Sequence, residues 1–417
     1  MLYLYDDTRA RAFEPFASSR PISEMTAGIA LVRERWAMAL SANGGTHCLA
    51  GARHEHFDES YVTGASRAAR DTIPAGSIIA NSRCVPALPH EAGALAESRS
   101  DAQAWQVGDR IGAVRVVEPI EANAFDQGAL ALGDLLPRTA RVDRLNGWWL
   151  DDVWDFVRLL PEQLSSDIAS TAEWQGGRVR GAPPQVTVIG GDRVLILGEA
   201  TIEPNIVFDT SNGPILIESG AHVHAFTRIS GPCRIGPAVT VLGGDIGVCS
   251  IGEVSKVRGE MSNTIIVGHS NKGHDGFIGH SYLGRWVNLG AGTVTSNLKN
   301  TYGPVALWTP SGTRDTGMQF LGTLFGDHVK TGIGLRLTTG TVLGAGANVY
   351  GNMPPRVVAP FSWGDAPPYA SYRADKFVET AARMMSRRHV ELTDRARRHL
   401  EAMYAGRWTI DAETSHS

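Results

Sequence analysis

Residues 217–241, IESGAHVHAFTRISGPCRIGPAVTV, decide the fold of the larger part of the chain. Within them Ile217, Val223, Ile229, Ile235 and Val241 recur every six residues without a break. Phe325, Thr331, Leu337, Leu343 and Val349 keep the same interval further on, and Leu283 with Leu289 forms another pair. A helix would repeat near 3.6 residues and a simple strand near 2. A period of six predicts a triangular coil in which each side is one short strand with its turn. One aliphatic residue per side points inward, and these residues stack into columns. Glycine and Asn supply the tight corners, and 31 of the 47 glycines fall between positions 181 and 360. The expectation is an all-β left-handed parallel β-helix over residues 181–360. A β-sandwich fits less well, because its strands recur at about 8–12 residues with alternating faces.

Residues 1–150 read differently. LYLYDD (2–7) is a short apolar strand ending in acids, GIALVRERWAMAL (28–40) has helical spacing, and GSIIANSRCVPAL (76–88) contains another strand. This alternation predicts an α/β, Rossmann-like domain with a parallel sheet. Residues 151–180 read as a helical linker with Trp154, Val157 and Leu160 on one face, and GGRVRGAPPQ (176–185) as a hinge. Residues 361–417 form a short helical tail, with Thr393 as N-cap of its second helix. Its arginines (Arg383, Arg387, Arg388, Arg395, Arg397, Arg398) belong either to a solvated face or to an anion-contacting tail.

Composition excludes several classes. The 417 residues carry a formal net charge of −4, which argues against a nucleic-acid partner. No apolar run approaches the roughly 18–20 residues of a membrane span. The start, MLYLYDDTRARAF, has no basic leader before an apolar segment, so a cytoplasmic protein is expected. Cys48, Cys84, Cys233 and Cys249 are scattered, as reduced thiols would be. His269 and His274 lack a third histidine at ligand spacing, so no metal is expected in the β-helix. Lysine occurs only at 256, 272, 299, 330 and 376.

Residues 253–312 interrupt the six-residue pattern with lysines, histidines and asparagines that a regular coil does not need. Such residues are where function concentrates on a rigid scaffold. A histidine can act as a general base near neutral pH, and His274, in this polar stretch, is the candidate. Main-chain N–H groups in the Gly-Ala-Gly turn around Ala291 can stabilise an oxyanion.

Residues 271–297, NKGHDGFIGHSYLGRWVNLGAGTVTSN, resemble the acetyltransferase segment of the bifunctional UDP-N-acetylglucosamine diphosphorylase / glucosamine-1-phosphate N-acetyltransferase family. His274, Asn288, Ala291 and Asn297 stand at the family's mutual spacings. With SNKGHDGF, SNLKN, and Asp6, Asp7, Arg20, Pro21, Glu34 and Trp36 near the start, the chain resembles its divergent bacterial branch. The resemblance implies a nucleotidyltransferase-like front domain and acetyl-CoA-dependent N-acetyl transfer to an amino-sugar 1-phosphate. It assigns Asn288 and Asn297 to the sugar and acetyl group, and Ala291 and Gly292 to the acetyl-CoA. Lys256, Arg258, Lys272 and Lys299 are the cations nearest in sequence for the sugar phosphate. It also implies UTP as a substrate of the front domain and a homotrimer. Two departures stand out: Phe277 where the better-known branch has tyrosine, and Gly303 where it has lysine.

In the front domain Thr8-Arg9 and Pro15 match the family's phosphate-binding signature, but its glycine loop and lysine are missing. Arg9 and Arg20 either replace that lysine or pair with Asp6, Asp7 or Glu24 as fold glue. The stretch ANSRCVPAL lacks the aspartate expected for a metal, so Mg2+ is implied only if this domain is catalytic. Two further readings stay open: a nucleotidyltransferase with a regulatory or oligomerising β-helix, and a non-catalytic sugar-phosphate-binding scaffold. The intact His274, Asn288 and Asn297 favour the acetyltransferase.

Overall fold

The computed structural model describes residues 1–42, 45–69, 71–89, 103–175 and 179–410. They form two compact units, one of residues 1–155 with 392–406 and one of residues 156–391 with the remaining C-terminal residues.

The first unit is built on a seven-stranded sheet. Its strands are β1 (Leu2–Tyr5), β2 (Thr46–Leu49), β3 (Arg67–Ala68), β4 (Ile78–Asn81), β5 (Ala104–Val107), β6 (Arg110–Arg115) and β7 (Val142–Leu145), in the order β7-β5-β6-β4-β1-β2-β3. The expected parallel sheet holds from β3 to β4. It gives way to antiparallel pairing at β6, which lies between β4 and β5. The cause is local: β5 and β6 are joined by Gly108 and Asp109 alone, with Gly108 at φ +63°, and so short a turn can only reverse the chain. Helix α1 (Val32–Ala39) starts where Glu34 Oε2 accepts from the Leu31 N–H at 2.9 Å. It buries Trp36, whose indole N–H donates to the Cys84 carbonyl. Tyr3, Tyr5, Ile79, Val114 and Phe125 make up much of the core on one side of the sheet.

The second unit opens after a one-turn helix (Asp155–Arg158) with α2 (Leu160–Gln175); of the residues expected on one face, Val157 and Leu160 are buried here, and Trp154, also buried, falls in the first unit. Residues 176–178 of the expected hinge lie outside the described residues. Val179–Arg180 is a strand that pairs antiparallel with Leu197 and Ile196. From there the chain winds as a left-handed parallel β-helix. Its columns follow the sequence periodicity. Ile217, Val223, Ile229, Ile235 and Val241 are all fully buried, and each stacks on the equivalent residue one coil away. One column runs Ile196, Ile217, Ile235, Ile251, Ile266, Leu283, Phe325, Leu343, Val358.

The interruption expected over 253–312 is mostly not one. Strand pairing continues through Lys256–Gly268, Asn271–Lys272, Phe277–Gly279 and Tyr282–Arg285. What changes is coil length. Ile217 pairs with Ile235, but Ile251 pairs with Ile266, a tighter coil with fewer corner residues, so the six-residue rhythm fails while the fold persists. The true excursion comes later. Leu283 pairs with Phe325, and the extra chain carries a hairpin of Ala306–Thr309 and Gly312–Asp315. Helix α3 (Ala374–Ser386) closes this unit. Helix α4 (Asp394–Ala405) belongs to the first, and Thr393 caps it by accepting from the Ala396 N–H.

Candidate functional site

His274 sits at an exposed corner between Asn271–Lys272 and Phe277–Gly279. Two features fix that corner. The Lys272 ammonium donates to the His274 carbonyl at 2.6 Å and to the Arg258 carbonyl at 2.7 Å. Gly276, at φ +137°, lets the His274 turn lie against the Gly290–Thr293 turn, because a Cβ there would stand 2.3 Å from the Thr293 carbonyl oxygen. The Gly292 N–H donates to the Asp275 carbonyl at 3.0 Å, so the two turns are joined directly. That N–H is therefore occupied. The Ala291 N–H of the same turn meets no acceptor among the described residues.

The other expected residues fall into four groups. Lys272 does not face a ligand. It occupies the inward slot of the coil, paired with Val257, and is 3% exposed. Burial pushes its ammonium down to about 8, and its two carbonyl partners make it an internal strut. Arg258 and Lys299 are exposed or half-buried but engaged: Arg258 with Asp275 and the Leu242 carbonyl, Lys299 with the Pro304 carbonyl. Asn297 stands at the neck of the excursion, its amide donating to His280 Nδ1 at 2.8 Å. Burial drives the His280 pKa down to about 4, so the ring is neutral and its Nδ1 accepts. The remaining oxygen of Asn297 is thereby oriented.

Lys256 and Asn288 share a cleft of about 420 Å³ lined also by His269, Asn271, Val287 and Lys330, and by Thr380, Arg383, Met384, Arg387 and Arg388 from α3 and the residues after it. Its β-helix wall is a ladder, Lys256–Asn271–Asn288–Lys330, made of paired residues on four successive coils. Asn271 Nδ2 donates to Asn288 Oδ1 at 3.0 Å. Asn271 and Lys330 were missed in the sequence. The signal for them was positional: each rung immediately precedes an inward-facing residue of the next column.

Elsewhere on the β-helix, Glu203 Oε1 meets His222 Nε2 at 3.0 Å and His224 Nδ1 at 3.1 Å. These donor atoms lie within 4.8 Å of one another, a set able to hold a metal ion.

In the first unit, Arg20 is 1% exposed and holds both oxygens of Glu59, so it serves the fold. Arg9 is half-exposed and lies 3.7 Å from Asp151 and from Asp152. Arg83 carries the network here: it donates to both Asp7 oxygens, to the Leu150 carbonyl and to Asp151. Burial raises the Asp7 carboxyl, but the Arg83 and Asn81 bonds outweigh it and hold the pKa below the ordinary range. Asp6 is buried without a cation bonded to its side chain, and burial pushes it up to about 6. Mg2+ would need carboxylate oxygens facing open space. Those of Asp7 are covered by Arg83, Asn81 and the Ala10 N–H, and those of Asp151 by Arg110 and Arg83. These residues do not fit a divalent cation. One cleft of the unit, about 320 Å³ and lined by residues such as Cys48, His54, Glu55, Ala69 and Asp126, has no lysine or arginine among its described lining residues.

Residues 2–174 match the family described as sugar nucleotidyl transferase. Three curated proteins are similar over parts of the chain. The bifunctional sugar-1-phosphate nucleotidylyltransferase/acetyltransferase of Sulfurisphaera tokodaii is 32% identical over 91 residues, 22% of this chain and 23% of that protein. The bifunctional protein GlmU of Methanococcus vannielii is 31% identical over 102 residues, 24% of this chain and 23% of its own. That of Paracoccus denitrificans is 24% identical over 216 residues, 44% of this chain and 47% of its own. The chain thus spans less than half the length of each. A solved Arabidopsis UDP-N-acetylglucosamine acyltransferase is similar at 10% identity and a TM-score of 0.22, over 49% of this chain and 78% of that one, too slight to carry an argument. The class is a sugar nucleotidyl transferase domain followed by a left-handed β-helix.

Among the described residues, no helix is long and apolar enough to cross a membrane.

Proposed function

We propose that this chain is a transferase of sugar-nucleotide biosynthesis whose β-helix moves an acetyl group from acetyl-CoA to the amine of an amino-sugar 1-phosphate of the glucosamine 1-phosphate type. The supporting observation is the joined pair of turns. An exposed histidine, with its carbonyl anchored by Lys272, stands beside a glycine turn that retains the Ala291 N–H. The His274 imidazole accepts a proton from the amine as its nitrogen forms a bond to the thioester carbonyl carbon. The Ala291 N–H faces the developing oxyanion. The C–S bond then breaks, and the thiolate takes a proton to leave as the free thiol. Asn288 and the oriented oxygen of Asn297 hold the sugar.

The test is free-thiol release from acetyl-CoA, with and without glucosamine 1-phosphate. Sugar-dependent release is expected, falling about 100- to 10,000-fold in His274→Ala. Unchanged transfer in that variant would overturn the assignment. The match of residues 2–174 favours a second reading, uridylyl transfer from UTP in the first unit, and the covered carboxylates of Asp7 and Asp151 count against it; pyrophosphate release from UTP decides between them. A homotrimer is part of the same proposal. Phe226 and Ile333, 81% and 82% exposed on the β-helix unit, are the kind of apolar surface that a neighbouring chain covers. Light scattering is expected to give three times 44.7 kDa, and the single-chain mass would count against it.

A further inference from the structure

We infer that the cleft between the Lys256–Lys330 ladder and α3 binds the polyphosphate portion of a nucleotide. This goes beyond proton transfer at His274, and the cleft shares Asn288 with that reading.

The charge balance of the cleft carries the inference. Lys256, Lys330, Arg383, Arg387 and Arg388 line it, and no aspartate or glutamate does. Only Arg383 has a carboxylate, Glu379, at 3.3 Å on its outer side. Lys330 Nζ donates to the His328 carbonyl, and Arg388 Nε to the His269 carbonyl. Neither Lys256 nor Arg387 has an ion-pair partner among the described residues. The first unit shows the usual alternative, in which Arg20, Arg33 and Arg83 each close on an acid. Lys330 and Arg388 are part-buried with carbonyl partners only, and a desolvated cation without a carboxylate is unfavourable unless an anion completes the site; Lys256 and Arg387 stand exposed beside them. Burial lowers Lys330 to about 8, and burial with the charge of Arg387 lowers Arg388.

The geometry specifies more than one phosphoryl group. Coils in a parallel β-helix are about 4.8 Å apart, so the ends of the ladder, three coils apart, are separated by roughly 14 Å. Cations stand at both ends, with two neutral amides between them that can donate to bridging oxygens or to hydroxyls. A single phosphate, with roughly two negative charges, would leave most of these cations unmatched. Guanidinium forks on α3 suit bidentate phosphate contacts. Two ligands share this chemistry: the 3′-phospho-ADP part of coenzyme A, and a nucleoside triphosphate.

Isothermal titration of the full chain with inorganic phosphate, pyrophosphate, coenzyme A and UTP tests the inference. Pyrophosphate is expected to bind at least about tenfold more tightly than phosphate, weakening as salt is raised. Arg387→Glu and Lys256→Gln should each lose about tenfold or more in pyrophosphate affinity, and the exposed Arg398→Glu on α4 should lose nothing. Melting temperatures confirm that the variants fold. Arg387-dependent binding of coenzyme A supports the inference and names the acyl donor as ligand; the same for UTP supports it and names a nucleoside triphosphate. Equal affinity for phosphate and pyrophosphate, or an unaffected Arg387→Glu, overturns it, as does failure of both nucleotides to bind. His274→Ala should keep the binding while losing thiol release, so the two proposals fail separately.

Discussion

In the first unit Arg20, Arg33, Arg83 and Arg110 reach Glu59, Glu24, Asp7 and Asp151 at 2.7–2.9 Å, and one cleft of that unit has no lysine or arginine among its described lining residues. In the second unit Lys256, Lys330, Arg387 and Arg388 surround a cleft with no acid in its wall. The second unit also closes some arginines on acids, as Arg285 on Glu253 and Arg234 on Glu218, but the cations that line its cleft face open space. The two uses should separate experimentally. Removing a cation of the first kind costs stability, and removing one of the second kind costs binding.

The largest effect is expected at Arg20. Arg20→Met leaves the buried Glu59 carboxylate without its guanidinium, and breaking such a pair costs about 3–5 kcal/mol. Urea unfolding should show that loss, while Arg387→Met, an exposed position, should shift stability by less than about 0.5 kcal/mol. A loss below about 1 kcal/mol at Arg20 would remove the contrast between the units.

Next comes pH. His280 in the second unit is held neutral by burial with a pKa near 4, against an ordinary value of 6.5. Between those values the unfolded chain binds the extra proton and the folded chain does not, so this group's contribution is present above pH 6.5 and is lost as pH falls toward 4. The loss amounts to at most about 3 kcal/mol. His280→Gln should show a shallower decline over that window in denaturant titrations. Asp6 acts with the opposite sign: its pKa is raised from 3.8 to about 6, so it favours the folded state as pH falls through that range. If His280→Gln and the parent chain decline in parallel, the ring is not the buried neutral group that orients Asn297.

Much of this was legible in the sequence, and the failures have physical causes. The inward columns were readable because Ile217 to Val241 repeat at the true coil length. The pattern was lost where coils shorten, as from Ile251 to Ile266, since a tighter coil drops corner residues without dropping its strands. Polar residues on intact coils therefore looked like an insertion. The same loss of register hid Lys272. Its place in the repeat is the inward slot after Val257, but a lysine in a polar stretch reads as a phosphate ligand until the coil is laid out. The antiparallel half of the first sheet was visible in principle in the Gly108-Asp109 turn. Arginine in the first unit could not be sorted between ligand and glue, because Glu59 lies 39 residues from Arg20 and nothing local ties them. The exposed corner of His274 was legible because its neighbours in space, Asp275 and Gly290–Thr293, are also near in sequence.

The smallest expected effect tests the contrast from the other side. Glu379 is the one carboxylate bonded to a cleft cation: its oxygens accept from Arg383 Nη2 at 3.3 Å and from Lys376 Nζ at 3.1 Å, on a half-exposed helix face. Exposed i,i+3 and i,i+4 pairs contribute about 0.2–0.5 kcal/mol each, so Glu379→Gln should barely change the melting temperature. Its effect on pyrophosphate binding should have the opposite sign to that of Arg387→Glu. Without the competing carboxylate, Arg383 is released to the cleft, and affinity should rise about two- to threefold. Weaker binding would mean that Glu379 holds Arg383 in its binding pose. The second unit would then position its cations with carboxylates as the first does, and the difference between the two would be one of degree.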